Sequence, residues 1–144
     1  MGRHVVFVDA SVIVALILRE PGWPDLWRRL KAHHAPLYFS PLVRFETVQA
    51  FARKRISGSG RETVGPFDQA QQIFDDFVHR LGLQEIPISP EIGQAALAAS
   101  TRYGKAVGHP AGLNFGDCFA YACAKTLAVP LAYIGNDFSL TDLA

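Results

Sequence analysis

Cysteine is scarce in this chain, and charge of either sign is thin. Among 144 residues only two are cysteine, Cys118 and Cys123. On one helix their separation of five residues turns them roughly 140° apart, which disfavours a mutual bridge, and the spacing fits no zinc-ligand pattern. They read as small buried apolar residues in a reducing compartment. Charged residues make up 19% and hydrophobic ones 49%, which argues against disorder. The formal net charge is only +1. A protein that lives on bulk phosphate attraction is more basic than this, so nucleic-acid binding has to come from a local patch or a bound metal. Long hydrophobic runs are missing too. The most apolar stretch, "RHVVFVDASVIVALIL", is broken by Asp9, has no small-residue cleavage site after Leu18 and is too short to span a bilayer. It reads as a buried strand entering a helix, in a cytoplasmic protein without a membrane partner. Also absent are a Gly-x-Ser-x-Gly elbow, a phosphate-cradling glycine loop and a cysteine–histidine signature.

What is present is an alternation of strands and helices. The length suits one domain with a real core and is short for two. "HVVFV" (His4–Val8) is β-branched and continuously apolar, as in a strand buried on both faces of a parallel sheet. A helix is expected from about Ser11 to "REPGWP", and a second over "PDLWRRLKAHH" with Leu26, Trp27 and Leu30 facing inward. "LYFS" is a short strand, and Pro41 suits the first turn of a helix to about Ile56. "SGSGRETVG" (Ser57–Gly65) is a candidate flexible linker within the domain. An amphipathic helix over "PFDQAQQIFDDFVHRLG", closed by Gly82, leads to a strand "LQEIPI". Ser89 and Pro90 open the next helix. "KAVGHPAGLN" is a loop, "FGDCFAYACAKTLA" a helix, "PLAYI" a strand and "GNDFSLTDLA" a closing loop. The order β-α-α-β-α-α-β-α-α-β implies a mostly parallel sheet with helices on both faces.

Ligands in open α/β sheets bind just beyond the carboxyl ends of the strands. Asp9 follows the first strand, and Asp137 follows the last after a Gly-Asn turn. Asp117 starts the helix before that strand, and Glu46 lies in the second turn of the helix after "LYFS". Each has a plainer reading. Asp9 can cap the first helix, although Ser11 is an alternative cap. Asp117 can close a capping box with Asn114. Glu46 lies among Leu42, Val43, Phe45, Val48, Ala50 and Phe51, and can pair with Arg44 or Arg53. Asp137 can be a turn residue. Taken together, carboxylates this close repel one another, and a hard divalent cation such as Mg2+ or Mn2+ relieves them. Such an ion activates water and stabilises charge in phosphodiester hydrolysis without a protein nucleophile.

Through "VFVDASVIVALILREP", "SPLVRFETVQAF", "YGKAVGHPAGLNFGDCFAYACAK" and "PLAYIGNDFSLTDL", taken in that order, the sequence resembles PIN-domain ribonucleases of the VapC type, toxins of bacterial type II toxin–antitoxin pairs. The resemblance spans nearly the whole chain, and "GLNFGDCFAYA" and "GNDFSLTD" are its most specific stretches. It implies a three-layer α/β/α PIN fold, with a mostly parallel central sheet, as a single domain over residues 1–144. It also implies metal-dependent endonucleolytic cleavage of RNA, commonly structured tRNA or ribosomal RNA. The family's acidic quartet maps onto Asp9, Glu46, Asp117 and Asp137 as ligands of Mg2+ or Mn2+, direct or through water. Ser11 then orients Asp9 or a bound water. Thr141 and Asp142 match the family's closing Thr-Asp, with Asp142 as a supporting carboxylate. The implied partners are a VapB-type antitoxin, an RNA substrate and a second copy of the chain, with DNA met only through the antitoxin.

"RKR" (Arg53, Lys54, Arg55) and "WRRLK" are the basic clusters. A basic run is most often a solvated helix face. Beside an acidic pit, Arg53–Arg55 are the better candidates for a phosphate track, because they share a helix with Glu46. His109 reads as a structural loop residue, and Trp23 and Trp27 as core or dimer contacts. Two other enzyme and signalling classes fit the sequence less well. An aspartyl phosphatase wants Asp-x-Asp, whereas position 11 is Ser11, and a receiver domain wants a lysine near the last strand, whereas Lys125 is mid-helix. A catalytically inactive PIN-like binding module is the remaining alternative.

Overall fold

A computed structural model describes residues 5–59 and 65–144. The element order is β1 (Val6–Val8), α1 (Ala10–Ile17), α2 (Trp23–Ala32), β2 (Leu37–Phe39), α3 (Pro41–Ser59), α4 (Gly65–Leu81), β3 (Leu83–Glu85), α5 (Pro90–Tyr103), a 3-10 turn (Lys105–Val107), α6 (Phe115–Leu127) and β4 (Leu131–Ala132). The strands form one sheet in the order β3-β2-β1-β4, and every pairing is parallel. Phe7 registers with Tyr38 on one side and with Leu131 on the other. The chain therefore builds outward from β1 through β2 to β3, then returns to place β4 on the opposite side of β1. That reversal makes a switch point between β1 and β4, where neighbouring connections diverge and leave a crevice at the strand ends. The architecture is the α/β arrangement expected from the sequence, a parallel sheet flanked by helices.

The strands are shorter than the apolar runs that encode them. In "LQEIPI" pairing stops at Glu85, and one further bond follows, from the Ile86 N–H to the Phe39 carbonyl at 2.8 Å. Pro87 has no N–H with which to carry the ladder on. In the other direction, α3 runs to Ser59, beyond the Ile56 expected. Residues Ser57–Ser59 are thus helix rather than linker, because adding a residue to a formed helix is easy even where propensity is poor. The rest of the supposed linker, 60–64, lies outside the described residues, and Gly65 already belongs to α4. The expected loop after Tyr103 contains the 3-10 turn.

The core is built from Phe7, Ile13, Phe39, Phe74 and Phe138, all essentially without exposure. Phe39 and Phe74 meet edge-on at 5.5 Å, tying the sheet to α4. Val43 and Val48 turn inward from α3, but Phe45, read as part of the same apolar surface, is 60% exposed. Trp27 packs edge-on against Phe77, and Trp23 lies against the core's margin. Cys118 and Cys123 are free and buried. Gly82, at φ +64°, ends α4 in a conformation that side chains resist. No helix among the described residues is long and apolar enough to cross a membrane.

Candidate active site

Asp9 stands at the switch point. Its N–H donates to the Ala132 carbonyl at 2.9 Å, so its backbone joins the ends of β1 and β4. Its side chain caps α1: Oδ2 accepts from the Ser11 N–H at 3.1 Å. Asp9, and not Ser11, is therefore the cap. The Ser11 hydroxyl is engaged twice, with the Asp9 carboxylate and as acceptor from the Ile134 N–H at 3.0 Å. Asp9 is buried at 7% exposure. Burial pushes its carboxyl above the usual range against the Ser11 and Ala10 hydrogen bonds, and the charge of Asp137 pushes the same way.

Asp117 enters from the N-terminal turn of α6. Its N–H donates to Asn114 Oδ1 at 2.9 Å and its Oδ2 accepts from the Asn114 N–H at 3.0 Å, a reciprocal capping box. Burial, with Asp137 and Asp9 adding, pushes this carboxyl up to about 6, against the Asn114 hydrogen bond. Glu46 reaches the same turn from α3. Its carboxylate lies directly over Gly116, so close that a β-carbon there would overlap Oε2. Neither proposed cation takes it. Arg44 instead clamps Glu85 (2.9 and 3.2 Å) and Asp75 (2.6 Å) and lies over the rings of Phe39 and Phe74. Arg53 makes no ion pair with Glu46 among the described residues. Burial first, then the charges of Asp9 and Asp117, push Glu46 up to about 7.

Asp137 is exposed, in the turn after β4, and its charge acts on both Asp9 and Asp117. Glu46 thus feels the charges of Asp9 and Asp117, and these two in turn feel that of Asp137. Asp142 is not among them. Tyr121 Oη donates to its Oδ1 at 2.5 Å, and Lys125 Nζ lies 2.9 Å from its Oδ2. These contacts, Tyr121 first, hold its carboxyl below the ordinary carboxylate range. Thr141 is buried; its hydroxyl donates to the Phe138 carbonyl and accepts from the Leu143 N–H, shaping the turn. Arg53, Lys54 and Arg55 are exposed on α3, with Arg55 over the Phe51 ring. His109 accepts from the Ala111 N–H and meets Tyr103 edge-on, a loop brace.

Among the described residues, no three acidic, histidine or cysteine side chains stand in an arrangement that could hold a metal ion as it is. The fit lies in the donor set. All four carboxylates are hard oxygen donors, and Glu46 has no cation partner among the described residues. Asp9 and Asp117 each give Oδ2 to a capping N–H, which leaves further acceptor sites on each carboxylate. That suits Mg2+ or Mn2+, which retain part of their water shell and are rarely enclosed by protein alone. Two features escaped the sequence reading. Gly116 is marked only by a glycine in a helix's first turn, beside a site acid. The contacts of Asp142 are marked by the spacing of Asp117, Tyr121 and Lys125 along one face of α6.

The PIN domain family matches this chain over residues 6–143. A VapC ribonuclease of Rhizobium meliloti (strain 1021) is 48% identical over 143 residues, covering 95% of this chain and 98% of that protein. Ribonuclease VapC30 of Mycobacterium tuberculosis (strain ATCC 25618 / H37Rv) is 33% identical over 137 residues, covering 95% of each. Among solved structures, the Mycobacterium tuberculosis VapC20 toxin, described as cleaving the sarcin-ricin loop, superposes with a TM-score of 0.68 at 17% identity over 96% of each chain. VapBC2 from Rickettsia felis, bound to a promoter DNA fragment, gives 0.66 at 15% identity over 94% of this chain and 90% of its own.

Proposed function

This chain belongs to the PIN-domain family and, within it, to the VapC ribonucleases, and from that premise we propose that Asp9, Glu46, Asp117 and Asp137 form the catalytic site of a divalent-cation-dependent endoribonuclease, the toxin of a toxin–antitoxin pair. The observation that carries the reading is the seat of Glu46. A half-buried carboxylate with no cation beside it among the described residues is pressed onto the first turn of α6, within the fields of Asp9 and Asp117. Uncompensated charge in such a place is costly, and a bound cation removes the cost. Held by these carboxylates and by water, Mg2+ or Mn2+ supplies an activated water and stabilises charge on the scissile phosphate.

The chain's own residues set up that chemistry. Asp9 is fixed by its backbone bond to β4 and by Ser11, so its carboxylate keeps one direction. Asp117 is fixed by the Asn114 box. Glu46, raised to about 7, holds a proton part of the time at neutral pH and gives it up when a cation binds. The substrate is RNA, with structured tRNA or ribosomal RNA as the class. Arg53, Lys54 and Arg55 begin seven residues beyond Glu46, roughly 10 Å along the helix, and can follow the phosphate backbone away from the acidic pit. A VapB-type antitoxin and a second copy of the chain are the protein partners. The exposed Leu97, Val107 and Phe115 offer the apolar area that such partners cover. DNA contact is left to the antitoxin, and the site of action is the cytoplasm.

Calorimetric titration of antitoxin-free protein with Mn2+ tests this, in wild type and Asp117→Asn, followed by cleavage assays on tRNA and rRNA. Binding in the wild type that is lost or much weakened in the variant is expected. The lack of a ready-made cage among the described residues favours a second reading, a binding module that does not cleave. A folded wild type that takes up no Mn2+ at millimolar concentration would decide for that module.

A further inference from the structure

Asp117, Tyr121 and Lys125 are spaced i, i+4 and i+8, so they form one stripe along α6. Asp137 acts on Asp117 at the head of the stripe, and Asp142 binds Tyr121 and Lys125 farther down. Residues 137–142 are therefore laid along α6. Asp142 meets it about 6 and 12 Å beyond Asp117, taking 1.5 Å per residue. The charges acting on Asp9, Glu46 and Asp117 are one another's and that of Asp137, and Asp142 is not among them.

Asp137 itself is exposed, and no hydrogen bond holds its side chain among the described residues. Its place is set by what flanks it. On one side the Ile134 N–H is held by the Ser11 hydroxyl. On the other, Phe138 is buried at 1% exposure, Thr141 closes a turn, and Asp142 is bonded through both oxygens. Arg102 of α5 adds a third, longer contact to Asp142 at 3.7 Å. The Tyr121 hydroxyl meets a carboxylate, and O–H donors to carboxylates make short, strong bonds.

We infer that Asp142 is a positioning residue, which, through Tyr121 and Lys125 of α6 and Arg102 of α5, locks segment 135–144 onto these helices and so holds Asp137 at the acidic site. This rests on the reading of Asp137 as a site residue. The role differs from that of a ligand: Asp142 acts at a distance, by narrowing where Asp137 can be.

Two variants probe opposite ends of the lock. Asp142→Asn keeps shape and an acceptor but drops the charge; Tyr121→Phe keeps the ring but drops the donor. Neither residue lies among the acids. In metal-free protein, hydrogen–deuterium exchange over 135–144 is expected to quicken at least about tenfold in each, while β1 and α6 keep wild-type protection. Mn2+ affinity by calorimetry is expected to fall about tenfold, as when the groups supporting a ligand are lost. The double variant should lose little more than the worse single one, since both break one unit. Unchanged exchange or unchanged Mn2+ affinity in both single variants would overturn the inference. So would Asp142→Asn abolishing Mn2+ binding as fully as Asp117→Asn, since Asp142 would then be a ligand. Exchange is read without metal or RNA, so a wild type that binds no Mn2+ would sink the active-site reading separately.

Discussion

Gly116→Ala should raise stability and remove activity together, and the geometry says why. A β-carbon on Gly116 would overlap Glu46 Oε2 outright, and would lie 2.6 Å from the carboxyl carbon and 2.9 Å from Oε1. Ordinary contact between such atoms is about 3.5 Å. The carboxylate has to retreat by about 1 Å or more, and it is free to do so, being the far end of a flexible side chain. Gly116 sits in α6 without a positive φ, so alanine fits the backbone. Exchanging glycine for alanine in a helix gains up to about 1 kcal/mol. Moving Glu46 away from Asp9 and Asp117 also lessens repulsion in the metal-free protein. A reactive group misplaced by about 1 Å can cost about a hundredfold in rate.

The assay is paired: kcat/KM on an RNA substrate at saturating Mn2+, and thermal unfolding without metal. The expected result is a loss of about a hundredfold in the first, with an unchanged or higher midpoint in the second. Glu46→Gln in the Gly116→Ala background should cost little more, because both changes remove the same carboxylate from the same place. Wild-type cleavage by Gly116→Ala would refute the claim that the Glu46 position matters. A large fall in its melting temperature would refute the claim that only a side chain has to move.

Asp9→Asn and Asp117→Asn should each lower cleavage about a hundredfold or more while circular dichroism stays native, since an asparagine oxygen still accepts the capping N–H. The metal-free protein should lose stability as pH rises. Glu46 and Asp117 have folded values near 7 and 6 against ordinary values of 4.5 and 3.8, so the folded state binds protons more tightly. The decline should run from about pH 4 to about pH 7 and flatten above, and Glu46→Gln should reduce its slope in pH-dependent denaturant melts. At pH 8, Mn2+ at a hundred times its Kd should add about 2.7 kcal/mol of stability, and much less at pH 5, where the acids are protonated; an equal gain at both would refute carboxylate ligation. Arg44→Ala should destabilise by about 1 kcal/mol, through the loss of Glu85, Asp75 and its aromatic contacts. It should leave Mn2+ affinity unchanged, because Arg44 is no partner of Glu46.

Much of this was legible before the fold was in hand. The order of elements is written in apolar runs and capping residues: Ser89 does accept from the Ile92 N–H, with Pro90 opening α5. The grouping of Asp9 with Asp137 was legible because ligands of a parallel sheet sit beyond its strand ends, and the two residues follow adjacent strands. What could not be read was how far elements run and how closely they approach. Ser57–Ser59 carry a loop-like composition but continue a helix already formed. Phe45 is apolar yet exposed, because only one side of α3 meets the core. The Glu46–Gly116 contact depends on the approach of α3 to α6, a distance that no periodicity encodes. Asp142 had no visible partner, because Tyr121 and Lys125 lie 21 and 17 residues away in sequence.

Capping a helix and holding a cation are compatible duties for Asp9 and Asp117. A carboxylate has two oxygens and about four acceptor sites. Asp9 gives Oδ2 to the Ser11 N–H and Asp117 gives Oδ2 to the Asn114 N–H, and in each the cap uses only part of that capacity. The capping bond fixes the direction of the carboxylate, so its remaining acceptor sites keep one orientation. On the proposed reading, local helix-starting signals hold repelling charges together for a cation to bind. It follows that asparagine at either position should preserve the first duty and lose the second. That outcome would separate folding from function at two residues for which the sequence offers both readings.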